Sequence, residues 1–154
     1  MKIRPVILCG GAGTRLWPKG SKHQAKQFID FGGWTLINKT FERIKNNIYD
    51  YPIISTNAKY IKEVKKALKK SKIKKFKIVL EPAKKNTAPA ILSSALIKDI
   101  PLKQPIMYFA ADHLIEKSNI LNKYINKNKL NLNDQNIFIF GIKPSNPSLS
   151  LIHI

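Results

Sequence analysis

The sequence predicts an α/β domain in three layers, a mainly parallel sheet with helices on both faces. Three observations predict it. The strand-like runs are continuously apolar and rich in β-branched residues, as strands buried on both faces are. Segments of helical spacing separate these runs in turn. The first run also stops abruptly at glycines, in "VILCGGAGTRLWPK" at residues 6–19, as a tight strand-to-helix turn requires.

Each element has its own warrant. "RPVILC" (4–9) is a short apolar run and reads as the first strand. Residues 35–47, "TLINKTFERIKNN", place Leu36, Ile37, Thr40, Phe41 and Ile44 on one side, which is helical spacing. "YPIIST" reads as the second strand, 57–71 as a helix, and "FKIVLEP" as a third strand ended by Pro82. In "NTAPAILSSALIKDI" an Asn or Thr cap and a first-turn proline start a helix near 87. "PIMYFAA" is the fourth strand and "NIFIFGI" a fifth, with a weaker helix around 117–127 between them. There are no internal repeats and no linker.

Composition bounds the class. A chain of 154 residues, 44% of them hydrophobic, folds as one domain with a sizeable core. No apolar run approaches the roughly 20 residues that span a bilayer, and Gly10 and Gly11 interrupt the only N-terminal apolar run. No membrane partner is therefore expected. The single cysteine, Cys9, has no internal disulfide partner, which suits a reducing cytoplasm.

The net charge of +19 admits a nucleic-acid partner. Its densest stretch, "KYIKEVKKALKKSKIKKFK" (59–77), instead sets lysines opposite an apolar stripe of Ile61, Val64 and Leu68. That is the pattern of a solvated helix face. A basic nucleic-acid-binding domain would explain the charge but not the glycine turn, Glu81 or Asp112, and it would want interleaved aromatics for base stacking.

Open parallel sheets bind ligands beyond the carboxyl ends of their strands. The glycine turn lies there, and glycines let backbone N–H groups approach an anion closely. Two familiar phosphate loops are excluded. A dinucleotide fingerprint needs glycine where Leu16 stands, and a Walker A loop needs Gly-Lys-Ser/Thr where Thr14, Arg15 and Leu16 follow Gly13. Four further landmarks follow in order: "AKQF" (25–28), "EPAKKNTAPA" (81–90), "AADH" (110–113) and "GIKPSNP" (141–147). Each lies at a strand's carboxyl end or just after the first turn, so all are expected to converge on one site.

This set, in this order, closely resembles the nucleotidyltransferase domain of mannose-1-phosphate guanylyltransferases, a family that includes bifunctional members with a C-terminal mannose-6-phosphate isomerase domain. The resemblance covers residues 4 to 147. It implies a Rossmann-like nucleotide-diphospho-sugar transferase fold, here incomplete, and the coupling of GTP to mannose 1-phosphate. A phosphate oxygen attacks the α-phosphorus in line and pyrophosphate leaves, so catalysis is positioning and charge neutralisation. Gly10, Gly11, Gly13 and Thr14 would wrap the phosphates with backbone donors, Arg15 would grip their oxygens, and Lys26 would add a second charge. Asp112 would hold the magnesium cofactor; read in isolation it is a capping or turn aspartate, and Lys26 a solvated lysine. His113 is read as structural.

Glu81 and the "NTAPA" turn would hold the base. Guanine offers adjacent N1–H and N2–H₂ donors to one carboxylate, whereas adenine presents an acceptor there. Asn86 and Thr87 would cap their helix and meet the nucleotide at its positive end. Gly141 would let the sugar lie on bare backbone. Trp17 and Pro18 read as a packed base for a lid, and Cys9 as a small strand residue. A nucleotidyltransferase for another sugar or base is the rival within the fold, and oligomeric state is left open.

Two departures stand out. Ala25 replaces the family's usual proline before the phosphate lysine, which removes a fixed φ. After "GIKPSNPS" the family continues with a tyrosine- and glycine-rich strand, but this chain closes with "LSLIHI". The codons CTG TCT CTT ATA CAC ATC encode that hexapeptide and match the transposon end of sequencing adapters. Residues 149–154 are thus expected to be non-native, and 1–148 the N-terminal, GTP-binding part of a larger domain. Such a part is expected to bind GTP weakly without turnover, and to expose an unpaired sheet edge.

Overall fold

The computed structural model describes residues 1–11, 25–82, 86–128 and 137–141. Four parallel strands form one sheet in the order β3-β2-β1-β4. They are β1 (Arg4–Leu8), β2 (Ile53–Asn57), β3 (Lys77–Glu81) and β4 (Ile106–Ala110). The helices between and after them are α1 (Leu36–Arg43), α2 (Ile61–Lys70), α3 (Thr87–Ala95) and α4 (Ser118–Asn128). Register sets Leu8 beside both Ser55 and Ala110, and Asn57 beside Glu81, so the carboxyl ends of all strands share one edge.

Because side chains alternate along a strand, each apolar run feeds both faces. Ile7, Ile54 and Phe109 point to one side, where Ile37 and Phe41 of α1, Val64 and Leu68 of α2, and Ile125 of α4 cover them. Val6 and Ile53 point to the other, with Ile97, Ile100 and Tyr108 around them. α3 lies on that side, where Tyr108 donates its hydroxyl hydrogen to Ile91 O at 3.1 Å. The expected three layers are present. Phe41 has no exposed surface, and burying such a side chain contributes roughly 1.5–3 kcal/mol.

Local chemistry trims the helices. α1 ends at Arg43 rather than near 47, because Asn46 Oδ1 accepts from Ile48 N at 3.1 Å and turns the chain. At its start Thr35 accepts from Asn38 N as an N-cap. The segment expected to be helical from 57 begins as a 3₁₀ turn, Ala58–Tyr60, with Asn57 accepting from Lys59 N. Opposite the carboxyl edge, buried Arg4 donates to Asp50 Oδ2 at 2.7 Å and to Tyr51 O at 2.8 Å, which ties the entrances of β1 and β2.

Among the described residues the fifth strand is not formed. Residues 137–141 pair with no strand, and Ile137, Phe138, Ile139 and Phe140 are all exposed. An apolar run becomes a strand only where a ladder partner accepts its backbone groups. Among the described residues no helix is long and apolar enough to cross a membrane.

Candidate active site

The chain leaves β1 at Cys9 and turns through Gly10 and Gly11 at the carboxyl edge. Three neighbours hold this turn by its backbone. Cys9 N donates to Ser55 O at 2.8 Å, continuing the ladder one residue. Thr56 Oγ1 donates to Cys9 O at 3.2 Å, and buried Gln27 Nε2 donates to Gly11 O at 3.2 Å. Carbonyls are thereby occupied, while the N–H groups of Gly10 and Gly11 have no partner among the described residues. Free amide hydrogens beside a strand end are what an anion needs.

Glu81, the last residue of β3, reaches back over this turn. Its Oε1 accepts from the buried Ser55 hydroxyl at 2.7 Å. A Cβ added to Gly10 would lie 2.8 Å from Glu81 Oε2 and 3.2 Å from Oε1. Gly10 therefore leaves room for the close approach of a carboxylate, which a side chain here would displace, a role beyond phosphate wrapping. Gly11, by contrast, has open space where its Cβ would be.

On the other flank, Lys26 forms an ion pair with Asp112, which directly follows Ala111 beyond β4. Both side chains keep about a quarter to a third of their surface exposed, at 32% and 25%, so each remains within reach of a ligand. Lys26 opens the 3₁₀ turn Lys26–Phe28. Ala25 precedes it with φ −70° and ψ 142°, the extended values a proline would set. The departure from proline thus leaves this backbone unchanged. His113 Nε2 stands 3.9 Å from Asp112 Oδ1, beyond hydrogen-bond reach.

Between the two flanks lies Cys9, 1% exposed. Burial pushes its thiol up to about 12, with the Glu81 and Asp112 charges adding to that rise and hydrogen bonds from Gln27 and Thr56 opposing it. The thiol stays protonated at neutral pH and supplies no nucleophile.

The other expected residues are placed differently. Asn86 stands at the N-cap position of α3 but makes no side-chain cap bond, against expectation. Its φ of 63° and ψ of −160° fall in a region that glycine favours. Thr87 begins the helix, exposed. Gly141 closes the exposed stretch 137–141 with nothing near its Cβ position. Gly13, Thr14, Arg15, Trp17 and Pro18 lie outside the described residues. The structure brings Gly10, Gly11, Glu81, Lys26 and Asp112 to one edge of the sheet.

Four contributors were not assigned roles from sequence. Ser55 and Thr56 are polar residues ending an apolar run, a signal that something at that end needs donors. Gln27 adjoins Lys26 in "AKQF" yet faces the opposite way, into the core. Arg43, buried at the end of α1, donates from Nη2 to His113 O at 2.9 Å; nothing in the helical pattern distinguishes it from a surface arginine.

As for a metal, no group of three or more His, Cys, Asp or Glu side chains gathers among the described residues. One partly exposed carboxylate already paired with a cation does fit magnesium, which is commonly held by one or two carboxylates together with substrate phosphates and water.

Comparison with known proteins shows the family. Residues 4–149 match the family model described as Nucleotidyl transferase. The chain is 34% identical over 146 residues to mannose-1-phosphate guanylyltransferase 2 of Escherichia coli O157:H7, covering 92% of this chain and 30% of that protein. It is 33% identical over 146 residues to the mannose-1-phosphate guanylyltransferase of Salmonella montevideo, covering 94% and 31%. The chain thus spans about three tenths of the length of these curated relatives. Among solved structures, a mannose-6-phosphate isomerase from Helicobacter pylori superposes with a TM-score of 0.64 at 27% identity, over 82% of this chain and 45% of that one.

Proposed function

The chain belongs to the nucleotidyl transferase family, and from that premise we propose that the whole protein makes GDP-mannose and pyrophosphate from GTP and mannose 1-phosphate. The observation that carries this reading is the convergence, on one sheet edge, of two opposite chemistries. Lys26 and the Gly10–Gly11 amides offer positive charge and donors, while Glu81 and Asp112 offer carboxylates on either side. A nucleoside triphosphate presents that same combination, an anionic tail and a base with donors.

In this assignment the residues of this chain bind and orient. Lys26 releases Asp112 to contact phosphate oxygens, and the glycine amides hold the leaving pyrophosphate. Asp112 is then free to hold magnesium, which supplies charge neutralisation across the phosphates when bound. Glu81, held by Ser55, accepts from the guanine edge and disfavours adenine. The guanylyltransferase relatives at 33–34% identity support the choice of guanine and mannose.

The test is pyrophosphate release by the whole protein from mannose 1-phosphate with each nucleoside triphosphate. GTP is expected to be preferred, and Glu81→Gln to narrow the GTP over ATP preference by about 10–100-fold, one lost charged acceptor being worth roughly 1.5–3 kcal/mol. A Glu81→Gln variant with undiminished preference overturns the base assignment, and activity with another sugar phosphate alone overturns the substrate.

A further inference from the structure

We propose that Arg43 is a positioning residue for Asp112, acting through the backbone of the turn that follows β4. The inference rests on the reading of Asp112 as the carboxylate that holds the metal. Arg43 is 4% exposed at the last residue of α1. Its main-chain carbonyl accepts from Asn122 Nδ2 of α4 at 3.0 Å, and Asn122 Oδ1 in turn accepts from Tyr49 at 2.8 Å. The residue is therefore fixed at its backbone, and its side chain points to the sheet edge. There Nη2 donates to the carbonyl of His113, the residue after Asp112, at 2.9 Å.

Stability alone does not account for this arginine. A buried guanidinium is costly unless its donors are used, yet Arg43 Nε has no partner among the described residues. No carboxylate forms an ion pair with Arg43 among the described residues. Apart from the Phe109 ring, whose centroid lies 5.9 Å from the guanidinium carbon, the charge meets a single carbonyl.

What that bond restrains is visible on either side of it. Upstream, the β4 side of the sheet ends with Ala111 N donating to Leu8 O at 3.1 Å. Downstream is a cleft of about 330 Å³ lined by Lys39, Glu42, Arg43, Leu114, Ile115, Glu116 and Ser118. Leu114 and Ile115 are 52% and 37% exposed, so packing holds the turn weakly. Asp112 sits between a secured strand and a loosely packed loop, and Arg43 anchors the loose side. Groups hydrogen-bonded to a metal ligand orient it, and losing them commonly costs 10–100-fold in metal affinity; Arg43 acts one bond further back, on the carbonyl of the next residue, so the low end of that range is expected.

The experiment measures Mn²⁺ affinity by electron paramagnetic resonance at saturating GTP, alongside metal-free GTP affinity, for the full chain and for Arg43→Met, Arg43→Lys and Asp112→Asn. Arg43→Met is expected to lose about tenfold in Mn²⁺ affinity while its metal-free GTP affinity and its far-ultraviolet dichroism stay at wild-type values. A merely structural residue would move all three together. Arg43→Lys, shorter and without the planar fork, is expected to lose several-fold, and it carries the test should Arg43→Met fail to fold. Wild-type Mn²⁺ affinity in either folded variant, with Asp112→Asn impaired, overturns the role of Arg43 alone. Wild-type affinity in Asp112→Asn overturns the metal assignment itself, and the inference with it.

Discussion

Lys26 and Asp112, one from the turn after the glycine loop and the other from the end of β4, meet as an ion pair at the carboxyl edge of the sheet. Under the proposed function each partner would be the other's stand-in for substrate, the ammonium in the place of a metal at the carboxylate and the carboxylate in the place of a phosphate at the ammonium. Binding of a metal-bound triphosphate would exchange one pair for two, so little charge is left unpaired at any stage.

That exchange makes Lys26→Met a two-sided test. GTP affinity is expected to fall about 10–100-fold, the value of roughly 1.5–3 kcal/mol for a charge-assisted contact. Mn²⁺ affinity without nucleotide is expected to rise, because Asp112 loses its competing cation. Calorimetry with GTP and resonance titration with Mn²⁺ read the two arms separately, and an unchanged nucleotide affinity would remove Lys26 from the site.

The two adjacent glycines are expected to answer differently to alanine. In Gly10→Ala the new Cβ falls 2.8 Å from Glu81 Oε2, so the carboxylate must swing away from Ser55. The end of a flexible side chain moves cheaply, and the stability loss is expected near 1 kcal/mol, one hydrogen bond. The preference for GTP over ATP is expected to suffer more than the melting temperature. Gly11→Ala meets open space and should leave the GTP over ATP ratio intact. Equal loss of discrimination in both variants would refute the role given to Glu81.

Ala25→Pro is expected to stabilise the protein by about 0.4–1 kcal/mol. The backbone at Ala25 already has φ −70° and ψ 142°, so proline would restrict the unfolded chain without straining these angles, and its ring has to fit a site only 1% exposed. A urea midpoint below that of the unaltered chain would show that the preceding loop resists the ring.

Acid sensitivity should trace in part to Asp50. Partial burial raises its pKa, but hydrogen bonds from Gln104 and Tyr51 N, with the charges of Arg4 and Lys75, outweigh this and hold it below the usual carboxylate value. The unfolded chain therefore binds the proton more readily than the folded one. Stability from this group is complete above the unfolded value of about 3.9 and is lost as pH falls through the lower folded value. Asp50→Asn is expected to flatten the acid limb of a stability curve below pH 4, and to lower stability at pH 7 by stranding buried Arg4. An acid limb of unchanged slope would assign the effect to other carboxylates.

Much of the fold was legible along the chain because its determinants are local. "RPVIL", "IIST", "KIVLE" and "IMYFA" are all strands, the first two buried between layers and the edge strand "KIVLE" only partly covered. The apolar stripe through Val64 and Leu68 forms a helix with its lysines outside, as its spacing implies. "NIFIFGI" misled for a physical reason: apolar content makes a strand possible, and only a neighbouring ladder makes it a strand. Asn86 has the composition of a cap but not the backbone of one.

The sequence by itself determined the periodicities, the glycine turn after β1 and the identities of the charged groups at the strand ends, since each depends on residues close along the chain. Tertiary structure alone decided the order β3-β2-β1-β4, the seating of Glu81 on Gly10 and Ser55, the pairing of Lys26 with Asp112, and the reach of Arg43 to His113. These join residues remote in sequence, and their distances follow from which strands become neighbours. A one-dimensional pattern specifies which face a side chain takes, whereas the partner it finds there depends on the packing of the whole sheet.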